Sequence, residues 1–148
     1  HIAHEEGFAV MSHTNGVYGV QAAVEAGADS VEHGNYMDKE TVSMLADSNT
    51  VWVPTLVTIR NLLGDGRYGD DTVGPVIRSA EENLRIAFQR KAKVALGSDA
   101  GAYRVMHGTG ICQEYQAFLK ILGDTDEVRT WLKDGETEIN RRFRHPRS

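Results

Sequence analysis

Short apolar runs alternate with amphipathic segments along the chain, and this alternation constrains the fold more than any other feature. Each of four runs rich in β-favouring residues is followed by a segment whose apolar residues recur at helical spacing. The predicted strands are 8–13, 29–33, 50–56 and 93–99. The predicted helices that follow them are 16–27, 38–47, 75–91 and 111–122. Regular alternation of this kind predicts an α/β fold with a parallel sheet.

The predicted strands show no clear polar alternation, which is typical of strands covered on both faces. Four strand–helix units are half of an eight-unit (β/α)8 barrel, and they are equally compatible with an open doubly wound sheet. A helix end over 1–7 precedes the units, and an amphipathic helix over about 126–143 follows them. We therefore expect one domain over 1–148 with a helical extension at about 124–148.

Length and composition narrow the classes of function. The 148 residues are enough for one ordinary domain with its own core. The net charge of −5, with no long basic stretch except the tail over 141–148, argues against a nucleic-acid partner. No apolar run approaches the roughly 18 residues of a membrane span, so we expect no membrane partner. The single cysteine, Cys112, excludes an internal disulfide and gives no support to an oxidising compartment, so we expect a cytoplasmic location.

Three of the four predicted strands end on a side chain that can bind a metal ion. These side chains are His13, His33 and Asp99, whereas the third strand ends at Thr55. Parallel strands end at one rim of the sheet, where α/β folds place their active sites. Two imidazoles and a carboxylate suit Zn²⁺ or a similar divalent ion. The alternative is that the histidines are structural and that Asp99 caps the next helix.

Loops on the same rim carry further candidates. His107 is a candidate substrate contact or proton shuttle. Tyr103 and Arg104 lie in the same loop, and the Arg104 guanidinium can grip a substrate carboxylate. Thr55 is a fourth candidate substrate-binding residue. The alternative for the loop side chains is that they are exposed to solvent and bind no substrate. A Gly- and Asp-rich segment over 61–71 is predicted to be a long surface loop.

Several motifs occur in a characteristic order along the chain: SHTNG, AAVEAGADSVEHG, VPTL, and ALGSDAG with a later HG. Together they resemble the C-terminal half of the amidohydrolase superfamily. The most similar branch contains imidazolonepropionase-like proteins and prolidase-type dipeptidases. The resemblance covers roughly residues 1–122. It implies a (β/α)8 TIM barrel in which the four predicted strands are the fifth to the eighth.

The resemblance also implies roles for the rim residues. His13 and His33 match the histidine ligands of the fifth and sixth strands, and Asp99 matches the aspartate of the eighth. In the family that aspartate binds one metal and handles the proton of the attacking water. The implied function is metal-dependent hydrolysis of a C–N bond in a small-molecule or dipeptide-like substrate, with one or two divalent cations, Zn²⁺ first among them. A deaminase of the same superfamily and a non-catalytic binding module are the alternatives.

The chain also departs from the family pattern. It contains no His-x-His pair, which the family carries on its first strand, and the lysine of the family's fourth strand would precede His1. After residue 122 a charged helix stands where the family commonly has a small β-sandwich. We therefore expect a fragment that lacks the N-terminal metal ligands and is inactive alone. A complementing N-terminal half, or a homo-oligomer that pairs two half-barrels, would close the barrel.

Overall fold

A computed structural model describes residues 2–143, in which short parallel strands alternate with helices. The strands are β1 (Met11–Thr14), β2 (Ser30–His33) and β3 (Val51–Val53). The helices are α1 (Ile2–Glu5), α2 (Gly16–Glu25), α3 (Lys39–Ala46), α4 (Val57–Arg60), α5 (Asp70–Gln89), α6 (Gly110–Leu122) and α7 (Asp126–Phe143). The part of the predicted C-terminal extension over 144–148 lies outside the described residues.

The strands form one parallel sheet in the order β1-β2-β3. The register places His13 opposite Glu32 and Thr14 opposite His33. The mixed α/β fold and the parallel pairing predicted from the alternation are therefore confirmed for the first three strands. Because the strands are aligned in this way, their carboxyl ends lie side by side.

The prediction of a fourth strand over 93–99 is wrong in its extent. Among the described residues, this segment is joined to β3 by a single parallel bridge between Trp52 and Val94. The Trp52 amide donates to the Lys93 carbonyl at 2.9 Å, and the Ala95 amide donates to the Trp52 carbonyl at 3.0 Å. The segment runs beside β3 but pairs with it only at this point.

Local backbone geometry explains why the pairing stops. A Cβ atom added at Gly97 would overlap the side chain of Val53, so the two backbones approach closely there. Two residues later the φ angle of Asp99 is 52°, which lies in the left-handed region rather than in the extended one. The chain therefore leaves the direction of the sheet before a ladder can extend along it.

Helix boundaries agree with the predictions where local signals are strong. The Asp38 side chain accepts a hydrogen bond from the Thr41 amide at 2.8 Å and caps α3, and α7 spans the predicted residues. The predicted start of the next long helix at residue 75 is wrong, because α5 begins five residues earlier and includes Pro75. Asp70 and Asp71 in its first turn favour this earlier start by interacting with the positive end of the helix dipole. The predicted loop over 61–71 is shortened accordingly.

The core lies between the sheet and the helices that pack on it. Its buried members include Val31 of β2, Leu84 of α5 and Phe118 of α6, each with no exposed surface. Trp52 of β3 is also in this core, and its indole Nε1 donates to the carbonyl of His33 at 2.9 Å. The core therefore extends directly to the carboxyl end of β2. No helix within residues 2–143 has the length and apolar character needed to cross a membrane.

Helix α7 covers the sheet edge formed by Val94. Because Lys93 and Ala95 exchange their hydrogen bonds with β3, the amide and carbonyl of Val94 face the opposite edge. A Cβ atom added at Gly135 of α7 would overlap the carbonyl oxygen of Val94. The helix backbone therefore touches this edge, and only a glycine permits such an approach.

Two long side chains fasten α7 on either side of this contact. The Trp131 indole donates to the carbonyl of Ala92 at 2.8 Å. The Arg142 guanidinium donates to the carbonyl of Asp29 at 3.1 Å. Both acceptors are backbone groups beside strands, so the predicted C-terminal helix is packed on the sheet along its described length.

Substitution of Gly135 by alanine tests the contact between α7 and the strand edge. We expect Gly135→Ala to lower the free energy of unfolding by about 1–3 kcal/mol, because the new methyl group forces the helix away from Val94. Gly74→Ala in α5 is the matched control, since its Cβ would meet only the end of the Arg78 side chain at 3.2 Å. Alanine is the better helix former, but a Cβ on the residue before Pro75 disfavours helical backbone, so the control should change the free energy of unfolding by less than about 1 kcal/mol. Urea denaturation measures both, and equal effects of the two substitutions would contradict the contact.

Candidate functional site

Two histidines meet at the carboxyl ends of β1 and β2. Nδ1 of His13 and Nε2 of His33 are 2.8 Å apart, and the two rings are edge to face with centroids separated by 4.5 Å. The second nitrogen of His33, Nδ1, lies 2.6 Å from the hydroxyl oxygen of Thr55, just after β3. One line of hydrogen bonds therefore joins the ends of three adjacent strands, as the shared rim predicts.

The rim residues share an unusual backbone conformation. The φ angles of His33, Thr55 and Asp99 are 68°, 50° and 52°. Non-glycine residues pay on the order of 1–3 kcal/mol for such a conformation, and β-branched residues such as threonine tolerate it least. Strained residues of this kind cluster at functional sites, because the surrounding structure must hold them in place. The same region of φ is also occupied outside these three segment ends, by Tyr36, Lys91 and Arg104.

The electrostatic environment keeps His33 neutral. Burial lowers the pKa of His33, the neighbouring His13 lowers it further, and Asp99 opposes the shift. A lowered pKa leaves the imidazole uncharged near pH 7, and uncharged imidazole is the form that binds a metal ion.

The facing nitrogens of His13 and His33 fit two positions of a zinc coordination sphere. With Zn–N distances of about 2.0–2.1 Å and tetrahedral angles, two nitrogen ligands lie about 3.3 Å apart, so the observed pair would have to open by about 0.5 Å and give up the proton that the two nitrogens share. The contact between His33 and Thr55 is the kind of outer hydrogen bond that orients a metal-binding histidine.

The predicted ligand set is only partly assembled. The structure brings His13 and His33 together, but within residues 2–143 no three His, Cys, Asp or Glu side chains are grouped to hold a metal ion. Asp99 interacts with His33 through its charge without joining such a group. Metal binding by His13, His33 and Asp99 therefore stays a prediction.

Glu32 is a rim-side carboxylate that the sequence reasoning missed. It stands opposite His13 in the register, and burial raises its pKa, while a hydrogen bond from Ser30 at 2.7 Å opposes the shift. Its second oxygen, Oε2, is buried and has no hydrogen-bond partner among the side chains and backbone of the described chain. A buried carboxylate oxygen beside the histidine pair suits a site that receives a cation or a donor.

The loop candidates Tyr103 and Arg104 both bind the carboxylate of Asp65. The Tyr103 hydroxyl donates to Asp65 at 3.0 Å, and Nε of Arg104 donates to the same carboxylate at 2.6 Å. The Arg67 guanidinium lies 4.5 Å from the centroid of the Tyr103 ring. These contacts tie the loop after α4 to the loop before α6. Substrate binding by Tyr103 and Arg104 stays a prediction.

His107 belongs to the turn that follows Asp99. A Cβ atom added at Gly101 would lie 3.7 Å from Nε2 of His107, so the imidazole packs over this glycine. The left-handed φ of 110° at Gly101 lets the chain turn back under the ring. His107 is therefore placed beside the rim, and its role as a substrate contact or proton shuttle stays a prediction.

Glu114 of α6 is a second carboxylate that the sequence reasoning missed. Its side chain has no exposed surface, and its two oxygens accept hydrogen bonds from the amides of Leu56 at 2.9 Å and Val57 at 2.7 Å. These amides directly follow Thr55. A signal was present in the sequence, because Glu114 lies at helical spacing from Ala117 and Phe118 on the buried face of α6.

Burial sets the protonation of Glu114. Removal from water raises its pKa to about 7, although hydrogen bonds from the amides of Val57 and Leu56 and the charge of Arg60 favour the ionised form. The unfolded chain has the ordinary value of 4.5. Between these two values the folded protein keeps a proton that the unfolded chain has lost, so stability falls as the pH rises.

The pH dependence of unfolding tests this carboxylate. We expect the free energy of unfolding of the wild-type chain to fall between about pH 4.5 and pH 7, relative to the Glu114→Gln variant. The size of the fall is about 3 kcal/mol, since each pKa unit corresponds to about 1.4 kcal/mol. Urea titrations of both proteins at half-unit pH intervals give the difference directly. Parallel curves for the two proteins would show that Glu114 has the same pKa in both states.

Comparisons with known proteins bear on the fold. No protein-family model matches the sequence. An uncharacterized protein of Mycobacterium tuberculosis is 30% identical over 125 residues, which cover 80% of this chain and 33% of that protein. An uncharacterized protein of Mycobacterium bovis matches over the same extent.

Solved structures with the same fold are amidohydrolase-type proteins. A Xaa-Pro dipeptidase with methionine bound in its active site is 26% identical with a TM-score of 0.60, over 90% of this chain and 36% of that chain. An amidohydrolase reaches a TM-score of 0.73 at 24% identity, over 93% of this chain and 34% of that chain. The ochratoxinase of A. niger reaches 0.71 at 21% identity, over 92% and 31%.

These likenesses confirm the resemblance predicted from the motifs. The chain has the fold of one part of an amidohydrolase-type protein. It spans about a third of the length of the curated relatives and of the solved chains that it matches.

Proposed function

We propose that this chain is part of a metal-dependent hydrolase that cleaves carbon–nitrogen bonds of the amide, peptide or cyclic amide type. The observation that carries the proposal is the pair of facing nitrogens of His13 and His33, 2.8 Å apart at the carboxyl ends of parallel strands. His33 is neutral and its ring is hydrogen-bonded to Thr55, which is the state in which an imidazole binds a cation. Asp99 comes at the end of the segment that runs beside β3.

The proposed architecture is the C-terminal half of a (β/α)8 barrel. Three parallel strands and a fourth segment bridged at Val94 support it, as does the extent of the match to much longer amidohydrolase-type chains. The two edges of the sheet also differ. At the β1 edge Phe8 and Met11 are 67% and 59% exposed, whereas α7 covers the Val94 edge and would have to move aside for a barrel to close there. An exposed apolar edge is where the rest of a barrel would pair.

The proposed substrate is a dipeptide-like molecule or another small amide. One structural neighbour is a Xaa-Pro dipeptidase, and another is a prolidase in complex with N-methylphosphonate-L-proline. The proposed cation is Zn²⁺, because imidazole nitrogen and carboxylate oxygen are ligands that zinc accepts.

In the proposed reaction the cation and the rim residues have different roles. His13 and His33 hold the ion through the nitrogens that face each other. When bound, the ion lowers the pKa of water and polarises the substrate carbonyl. The Asp99 carboxylate accepts the proton of the attacking water and passes it to the nitrogen that leaves, so that a C–O bond replaces the C–N bond. Activity belongs to the whole protein, and the chain alone is expected to be inactive.

Metal titration of the 148-residue chain tests the histidine pair. We expect it to bind Zn²⁺ or Co²⁺ weakly, and we expect His33→Ala to abolish this binding because it removes one of the two facing ligands. His4→Gln is the control, since His4 pairs with Asp29 at 2.6 Å before β2, away from the rim. Calorimetry with Zn²⁺ and the visible absorption of Co²⁺ measure the effect. Equal metal affinity of the His33→Ala variant and the wild type would refute the site.

Substitution of Asp99 in the whole protein tests the proton transfer. We expect Asp99→Asn to retain much of the bound metal but to lower kcat by about 10²–10⁴, the usual contribution of a general base. Asp126→Asn is the control, because Asp126 is exposed on α7 and bonds only Arg129 among the described side chains. Steady-state hydrolysis of Xaa-Pro dipeptides with metal analysis of each variant gives the answer. A near-normal kcat in Asp99→Asn would remove Asp99 from the mechanism.

A further inference from the structure

We propose that Glu114 is a positioning residue for the histidine pair, and that it acts by holding the backbone of Thr55, whose hydroxyl in turn orients the ring of His33. This proposal rests on the proposed function in one respect, namely that the oriented His33 ring is a metal ligand. Glu114 touches neither substrate nor reacting atoms in this arrangement. It acts on His33 indirectly, by binding the amides of Leu56 and Val57 and so fixing the position of the Thr55 hydroxyl.

In the first step Glu114 holds the segment after β3 by hydrogen bonds. Helix α4 has only four residues, and the amides of Leu56 and Val57 at its start have no partners within the helix. The Glu114 carboxylate accepts one hydrogen bond from each of them, although it is 58 and 57 residues away in the sequence. Hydrogen bonds to an ionised acceptor are stronger than neutral ones. They hold the peptide next to Thr55, whose φ of 50° would otherwise relax.

The second step is the orientation of the His33 ring. Nδ1 of His33 lies 2.6 Å from the Thr55 hydroxyl, and Nε2 faces Nδ1 of His13 at 2.8 Å. When the hydroxyl accepts the Nδ1 proton, the lone pair of His33 is on Nε2, the atom that faces the proposed ion. A shift of the Thr55 backbone would therefore change both the direction of the ring and the position of its proton.

Packing alone does not account for a carboxylate at this position. Glu114 is completely buried, and the nearby Arg60 forms its ion pair with Glu81. Burial of a charge is unfavourable, and apolar residues in place of buried charges are often as stable or more so. What a carboxylate supplies here is two acceptor oxygens for adjacent amides, which an apolar side chain lacks.

Imidazole ¹⁵N shifts test the proposal in the 148-residue chain without metal, at pH 8, where Glu114 is ionised. They report which nitrogen of His33 carries the proton. We expect Glu114→Gln and Thr55→Val each to change the ratio of the two His33 tautomers at least threefold. The double variant should match Thr55→Val alone, because Glu114 acts through Thr55. Glu114→Asp, which keeps the charge, should recover part of the wild-type ratio.

Asn83→Ala is the control for a general loss of stability. Asn83 is buried on α5 and donates to the carbonyl of Met37 at 2.9 Å, so its removal breaks a buried hydrogen bond away from Thr55. We expect this variant to be destabilised but to keep the wild-type His33 ratio. A Glu114→Gln variant that is folded and keeps the wild-type ratio would overturn the proposal, as would additive effects in the double variant.

Zn²⁺ titration of the same variants separates this proposal from the proposed function. We expect Glu114→Gln and Thr55→Val to weaken Zn²⁺ binding by about 10–100-fold, the usual effect of losing an outer hydrogen bond to a metal ligand. If the wild-type chain and the whole protein bind no Zn²⁺ while the tautomer ratios change as expected, the positioning role stands and the metal-dependent function is refuted. If Zn²⁺ binds equally to all variants and the ratios do not change, the positioning role is refuted and the metal site stands.

Discussion

Parallel pairing in one register is the interaction on which the rest of the structure depends. Because β1, β2 and β3 run in the same direction and end together, His13, His33 and Thr55 meet although 42 positions separate the first from the last. A slip of one residue would turn the side chains of a strand to the opposite face of the sheet. The hydrogen-bonded ladder therefore decides whether a site exists at all.

The strained ends of the strands are held by groups that also stabilise the domain. The ring of Trp52 fills the core, while its Nε1 holds the carbonyl of His33 at the start of the left-handed turn. Glu114, on the buried face of α6, likewise holds the turn at Thr55 by accepting hydrogen bonds from the two amides that follow it. The packing of the core thus offsets the free-energy cost of the left-handed backbone at His33 and Thr55. A substitution in this part of the core would therefore also affect the site.

Local patterns in the sequence were sufficient to predict much of the fold. The helix end at Gly7, the cap at Asp38 and the extent of α7 all follow from interactions between residues a few positions apart. The meeting of His13 and His33 was predictable because strand direction follows from the strand–helix alternation. The single bridge at Val94 was not predictable, because it depends on the close approach of Gly97 to Val53 across the sheet.

By itself the sequence determined the class of fold, the order of most of its elements and the side of the sheet on which the polar residues gather. Only the tertiary structure decided the left-handed backbone at Thr55, the burial of Glu114 against the amides that follow it, and the contact of Gly135 with Val94. The reason is physical. Periodicity and capping act within one element, whereas these features arise where groups about 40 to 60 positions apart in the sequence are forced into the same small volume.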